Sequence, residues 1–207
     1  MIYAIVGTYD DTSYGSIRGN GKSLTMVYFG YQAYKEGRQV YSNFYTSFSE
    51  ILTLNEIIDM FKNQGLSDAV VMLDEAQVYL SNTGEKAIVI KELVNLFIAQ
   101  TRKRGVDIYL TTQRYNNLHR QLRVQVDALL TPEKRHINGE ICLQDNCQKK
   151  HLIYVYRPDY EEPLIVLDAE KVGQLYNTNE IVLDFFKTPE KGKSAQKRAI
   201  ELISDSA

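Results

Sequence analysis

The sequence predicts an α/β protein, a mostly parallel β-sheet flanked by helices, with a hairpin extension in its C-terminal part. Three observations predict it. Short apolar runs rich in Val, Ile and Tyr alternate with stretches in which apolar residues recur at three and four spacings. A glycine-bearing loop, SIRGNGKS, separates the first run from the first helical stretch. A five-residue apolar run, AVVML, stops at two adjacent carboxylates, Asp74 and Glu75.

Taken in order, Ile2 to Val6 reads as the first strand, and Lys22 to Glu36 as a helix that stops at Gly37. Gln39 to Phe44 is the next strand. Thr53 and Glu56 are spaced as a capping box that opens a helix carrying Ile57, Ile58, Met60 and Phe61. Ala69 to Leu73 is a buried strand, Lys86 to Lys103 an amphipathic helix closed by Gly105, and Val106 to Thr112 a further strand. Ala128 to Leu130 adds a fifth. Beyond Pro132 the texture changes to short strand-like pieces, Ile141 to Leu143 and His151 to Tyr156, which read as a hairpin, followed by a strand over Leu164 to Leu167 and a short helix over Ala169 to Leu175. The expected organisation is one domain over 1–187, with a core over 1–131 and an appended β-rich part over 132–187, then a basic tail over 188–207.

The totals restrict function. A chain of 207 residues, 44% hydrophobic and 24% charged, supports one sizeable core rather than two. A net charge of -2 argues against general coating by nucleic acid, so a polyanion contact has to be a local patch. Two cysteines cannot build a disulfide scaffold, and no apolar run approaches the roughly 20 residues that span a bilayer. A soluble, intracellular setting is the expectation.

A loop of small residues between a strand and a helix aims backbone N–H groups at phosphate oxygens, and the helix N-terminus adds a favourable dipole. In SIRGNGKS, Gly19, Asn20, Gly21 and Leu24 frame that cradle, Lys22 reaches the outer phosphates, and the Ser23 hydroxyl ligates Mg2+. The string departs from the full phosphate-loop pattern at its first position, where Ser16 stands instead of glycine. A second alignment begins the loop at Gly7 and makes TYDDTSYGS an insertion; this alignment is preferred, and it requires Gly7 to turn beside the phosphates. Tyr9 and Tyr14 would then reach the base or ribose, although burial is the commoner fate of tyrosine.

Ligands bind where parallel strands end. Asp74 would hold Mg2+ opposite Ser23, and Glu75 would polarise the water that attacks the terminal phosphate of ATP. The plainer reading is a carboxylate pair that caps the next helix. Gln113, at the end of YLTTQR, reads either as a sensor of the terminal phosphate or as a polar strand end. Together the motifs predict a P-loop NTPase of the RecA/ASCE kind that hydrolyses ATP.

The strings SIRGNGKS, VVMLDEAQ and TRKRGVDIYLTTQR resemble the FtsK-HerA superfamily of ring-forming, DNA-pumping ATPases over about the first two-thirds of the chain, most closely the genome-packaging ATPases of turreted icosahedral viruses. LDEAQ and YNTNEIV also resemble the Zot-like assembly ATPases of filamentous phages. The resemblance implies an ATP- and Mg2+-dependent motor that drives double-stranded viral DNA into a preformed capsid, in the host cytoplasm or on the virion. It implies a homo-oligomeric ring with capsid or inner-membrane vertex proteins as partners. It gives Lys22 and Ser23 the phosphate and Mg2+, makes Asp74 and Glu75 the Walker B pair, and makes Gln113 the sensor. Arg102 or Arg104 becomes the finger inserted into a neighbouring active site, a role worth about a thousandfold or more in hydrolysis. Two alternatives stand beside it: a Zot-like phage assembly or secretion ATPase, and a small P-loop nucleotide kinase, against which the adjacent Asp74 and Glu75 weigh.

Between Thr101 and Val126 six basic residues, Arg102, Lys103, Arg104, Arg114, Arg120 and Arg123, face one acid, Asp107, and form the best candidate for a DNA-facing patch. His136, Cys142, Cys147 and His151 could ligate zinc, but no CxxC pair accompanies them, so two ordinary thiols on a hairpin is the reading preferred.

Overall fold

The computed structural model describes residues 1–8, 19–63, 66–78, 80, 95, 101, 103–144 and 147–176. Eight strands form one sheet: β1 (Ile2–Thr8), β2 (Gln39–Ser42), β3 (Glu50–Ile51), β4 (Ala69–Leu73), β5 (Asp107–Arg114), β6 (Ala128–His136), β7 (His151–Tyr156) and β8 (Ile165–Asp168). Their order is β3-β2-β4-β5-β1-β6-β7-β8. All pairs from β3 to β6 are parallel; β6–β7 and β7–β8 are antiparallel. The fold class is the expected one, a mostly parallel sheet flanked by helices with an antiparallel extension.

Parallel strands are covered on both faces, so their sequences run apolar without interruption. Every residue of β4 is buried, and successive side chains go to opposite sides. Ala69, Val71 and Leu73 join one core cluster with Ile2, Ala4 and Val6 of β1. Val70 and Met72 join the other with Ile5. Helix α1 (Lys22–Lys35) packs on the second face through Leu24, Met26, Val27 and Ala33. Helix α2 (Leu54–Lys62) covers the first through Ile57, Ile58 and Phe61. The capping box at Thr53 forms: its hydroxyl accepts from the Glu56 N–H at 3.3 Å and the Glu56 carboxylate accepts from the Thr53 N–H at 2.7 Å. Gly37, at φ 87°, lies just beyond the α1 C-cap Glu36.

Some elements differ from the expected bounds. β1 runs on through Gly7 to Thr8, which pairs with Arg114, and β5 reaches Arg114, so Gln113 is inside a strand. β6 does not stop at Leu130 but runs nine residues in all, Ala128–His136, across the point at 131/132 where the core was expected to end. Pro132, which has no N–H for a ladder, comes two residues after the last β1–β6 pair, Ile5 with Leu130, where β6 has lost that neighbour. Ile141 to Leu143 makes one bridge, Ile141 with Arg135, rather than a strand. The short strand β3 has no counterpart in the sequence reading. The helix expected over 86–103 and the tail over 188–207 lie largely or wholly outside the described residues. Among the described residues no helix is long and apolar enough to cross a membrane.

Candidate functional site

β5 lies between β1 and β4, so the C-terminal ends of these three parallel strands present three different chemistries side by side. From β1 the chain passes to the glycine loop, from β4 to Asp74 and Glu75, and β5 carries Thr111 and Gln113 at its end.

The glycine loop is shaped by residues that only glycine serves well. Gly19 has φ 67° and Gly21 has φ 95°. Gly21 is the N-cap of α1 and offers no side-chain cap, which leaves the first N–H groups of the helix to an anion. A Cβ at Gly21 would stand 2.8 Å from the Ile153 Cδ1, so β7 closes against the loop from behind. Asn20 and Lys22 are buried. The Asn20 side chain donates to the Gly7 carbonyl at 3.3 Å, and the Lys22 ammonium donates to Asn20 Oδ1 at 3.3 Å. Desolvation lowers the Lys22 pKa, opposed by the negative charges of Glu75 and Asp74. Leu24 points into the core and fixes α1. Gly7 lies beside the loop through Asn20 but is extended within β1 rather than a turn, and the segment between, with Tyr9, Tyr14 and Ser16, falls outside the described residues.

Asp74 is the most heavily braced side chain of the site. Ser23 Oγ donates to its carboxylate, and so does Thr111 Oγ1 from β5. Its backbone is locked to Asn43 by a reciprocal pair: the Asp74 N–H donates to Asn43 Oδ1 at 2.8 Å, and Asn43 Nδ2 donates to the Asp74 carbonyl at 3.0 Å. Desolvation pushes the Asp74 carboxyl above the usual range, against the Thr111 and Ser23 hydroxyls, which hold it down. Two hard oxygen donors, one anionic, facing each other at the mouth of a phosphate loop fit Mg2+.

Glu75 sits at φ 52°, a conformation non-glycine residues rarely adopt. Its N–H donates to Thr111 Oγ1 at 2.9 Å, while its Oε2 accepts from the Gln77 amide and, at 3.5 Å, from Gln113 Nε2. Glu75, two residues past the end of β4, and Gln113, in neighbouring β5, therefore meet at one carboxylate oxygen.

The structure brings Gly19, Asn20, Gly21, Lys22, Ser23, Asp74, Glu75 and Gln113 to one sheet edge. It does not bring Arg104 there. Arg104 precedes β5 at the opposite edge and donates to the Phe61 carbonyl at 3.1 Å; Arg102 lies outside the described residues. The basic cluster of the sequence is likewise divided. Lys103 and Arg104 stand before β5 and Arg114 at its far end, about 20 Å away along an eight-residue strand. Arg123 is bound to Asn116 at 2.8 Å and faces the Tyr115 ring. Asn43 and Thr111, which brace Asp74 and Glu75, were not singled out in the sequence. Thr111 stood within YLTTQR, and Asn43 follows β2 at the same edge; that shared position at strand ends was the available signal.

The sequence model of the zonular occludens toxin (Zot) family matches residues 14–151, more than half of the chain. Among curated proteins there is no significant match. Among solved structures, the N-terminal domain of zonular occludens toxin from Neisseria meningitidis is similar at a TM-score of 0.53 and 20% identity, covering 85% of this chain and 98% of that one. The genome packaging NTPase B204 of Sulfolobus turreted icosahedral virus 2, in complex with AMP, is similar at 0.47 and 15%, over 79% and 98%. The flagellar accessory protein FlaH of Methanocaldococcus jannaschii gives 0.46 and 14%, over 81% and 84%.

Proposed function

The chain belongs to the zonular occludens toxin (Zot) family, with a P-loop NTPase fold of the FtsK-HerA type, and we propose that it is a Mg2+-dependent ATPase that uses hydrolysis to move phage or viral DNA. The observation that carries the chemistry is the convergence of Ser23, Asp74 and Thr111 beside a buried lysine and a glycine N-cap. In this reading the N–H groups at the start of α1 and the Lys22 ammonium hold the phosphates, and Ser23 and Asp74 hold the Mg2+. The metal, when bound, neutralises charge on the phosphate oxygens. Glu75 accepts the proton of the attacking water, and Gln113, which shares Glu75 Oε2, registers whether the terminal phosphate is present.

A P-loop kinase needs an acceptor pocket and no second acid at the strand end; Glu75 beside Asp74 favours hydrolysis. We favour the assembly reading, export of single-stranded phage DNA, and membership of the Zot family supports it; packaging of double-stranded DNA into a capsid is the second reading, supported by the resemblance of the motifs. Either motor would be a ring whose neighbours complete each site, with partners in the virion or its membrane.

The test is Glu75→Gln. Phosphate release should fall by about a hundredfold or more while the nucleotide remains bound, because a general base contributes about 10²–10⁴ in rate. Turnover at the wild-type rate in this variant removes the proposal. Stimulation of the wild-type enzyme by single-stranded rather than duplex DNA separates assembly from packaging.

A further inference from the structure

The end of the β6–β7 hairpin gathers four potential metal ligands that the ATPase reading does not use. In the antiparallel register His136 stands directly opposite His151, the last pair of the ladder, with ring centroids 4.9 Å apart. After His136 the chain reverses through a turn in which the Gly139 N–H donates to the His136 carbonyl at 2.9 Å and the His136 N–H to the Glu140 carbonyl at 2.8 Å. The returning segment is pinned by the Cys142 N–H on the Lys134 carbonyl at 2.8 Å, which buries Cys142 beside β6. Cys147 enters from the segment that leads into β7. One ligand atom from each of His136, Cys142, Cys147 and His151 lies within 4.8 Å of the other three.

Two further facts point inward to a cation. Both cysteines are free thiols. The His136 Nδ1 and the His151 Nε2 are buried and make no hydrogen bond, an expensive condition for ring nitrogens in a hairpin otherwise well paired. We propose that His136, Cys142, Cys147 and His151 form a structural Cys2His2 zinc site that ties off the β6–β7 hairpin.

The donor set selects the metal. Two thiolates and two imidazoles in a closed four-ligand group suit tetrahedral zinc, whereas Mg2+ and Ca2+ take oxygen ligands. With bonds of about 2.0–2.3 Å, tetrahedral ligand atoms stand about 3.3–3.8 Å apart, so closure moves each side chain by about 1 Å or less. On binding, Zn2+ displaces the two thiol protons to solvent, and the resulting centre is neutral, so the nearby Lys134 ammonium, which donates to the Gln144 carbonyl, does not oppose it. His151 and Ile153 share a face of β7, and Ile153 packs on Gly21 of the phosphate loop. The site therefore anchors the strand that backs the phosphate loop.

The test is metal analysis of the full chain, purified without a polyhistidine tag in reducing buffer and supplied with zinc during expression. One zinc per chain is expected, released by a thiol-blocking reagent and detected with a chromogenic chelator. Cobalt in its place should give tetrahedral d–d bands and thiolate charge transfer. Cys147→Ser, at the half-buried ligand, should lose the zinc, and Lys22→Ala should keep it, which separates this site from the nucleotide site. Metal-free wild-type protein with two titratable thiols, a Cys142–Cys147 disulfide under the same reducing conditions, or zinc retained at full stoichiometry in Cys147→Ser would each overturn the proposal.

Discussion

The Ser23 hydroxyl reaches both carboxylate oxygens of Asp74, 3.0 Å from Oδ1 and 2.9 Å from Oδ2, and so couples the phosphate loop to the end of β4. In the chain alone this contact, with the Thr111 hydroxyl, compensates a desolvated carboxylate. In the proposed nucleotide complex the same two oxygen groups face Mg2+.

Substitutions at this pair should separate stability from activity. The environment raises the Asp74 pKa, so it disfavours the ionised form. By linkage, the neutral carboxyl is the form the fold prefers, and ionisation costs stability as pH rises through the folded-state pKa. Asp74→Asn keeps the shape and removes the charge, so the metal-free protein should melt no lower than wild type while phosphate release is lost. Ser23→Ala should have the opposite sign on stability, costing about 1–3 kcal/mol because a donor to a desolvated acceptor disappears. Calorimetry with parallel turnover assays checks both; a marked fall in the melting midpoint of Asp74→Asn contradicts the reading of its environment.

Gly21→Ala should weaken nucleotide binding by about tenfold or more. Two terms act together: a φ of 95° costs an alanine about 1–3 kcal/mol, and the added methyl would stand 2.8 Å from the Ile153 Cδ1. The double variant Gly21→Ala with Ile153→Ala should recover only the steric part, since the backbone term persists. Isothermal titration with a non-hydrolysable analogue measures the difference, and wild-type affinity in Gly21→Ala would show that the loop tolerates a side chain.

Arg38 ties the opposite edge of the sheet. Its guanidinium donates to Asp107 at 2.6 Å, to the Ala69 carbonyl at 2.9 Å and to the Gly105 carbonyl at 2.7 Å, binding the starts of β4 and β5 together. With 19% of its side chain exposed, Arg38→Ala should cost about 1–3 kcal/mol, since the Ala69 and Gly105 carbonyls lose their donor and Asp107 keeps only the Met1 ammonium, at 2.8 Å. Arg38→Lys should recover little, because one ammonium cannot replace a planar fork. The site lies at the far ends of these strands, so kcat at low temperature should stay unchanged in both. A denaturant melt and a turnover assay at 10 °C form the check.

How far the sequence could be read follows from how local each signal is. α1 and β4 were legible because their patterns are complete within a dozen residues: apolar periodicity closed by Gly37, and five apolar residues closed by Asp74. Asn43 and Thr111 were not, since a single polar residue in a strand or just past one carries no mark of the neighbour it meets 31 to 37 positions away. The strand read over Ala128 to Leu130 and the change of texture beyond Pro132 suggested a break, yet β6 continues through Pro132 where it has already left β1. The spacing of His136, Cys142, Cys147 and His151 contained no paired ligands; only the β6–β7 register sets the two histidines opposite each other. The basic residues between Arg102 and Arg123 are close in sequence, and the length of β5 separates Lys103 and Arg104 from Arg114, Arg120 and Arg123.

That separation bears on the proposed ring. Arg104 is committed to the Phe61 carbonyl at 3.1 Å, on the edge of the sheet away from its own Lys22. Under the proposed function, that bond favours a structural role for Arg104, and we propose Arg102 as the finger offered to a neighbouring subunit. Arg102→Ala should therefore lower hydrolysis by about 10³ or more without changing nucleotide affinity, whereas Arg104→Ala should lower the melting midpoint and leave the rate per folded subunit near wild type. A mixing experiment decides whether the finger acts in trans. A Glu75→Gln subunit has a dead site but an intact Arg102; an Arg102→Ala subunit has an intact site that needs a neighbour's arginine. In rings assembled from equal amounts of both, about a quarter of the sites combine a working Glu75 with a neighbouring Arg102, because a heterologous interface pairs each site with one neighbour. Recovery of about a quarter of wild-type turnover, absent from either variant alone, is the expected result; no recovery on mixing under conditions where subunits exchange excludes a trans-acting Arg102.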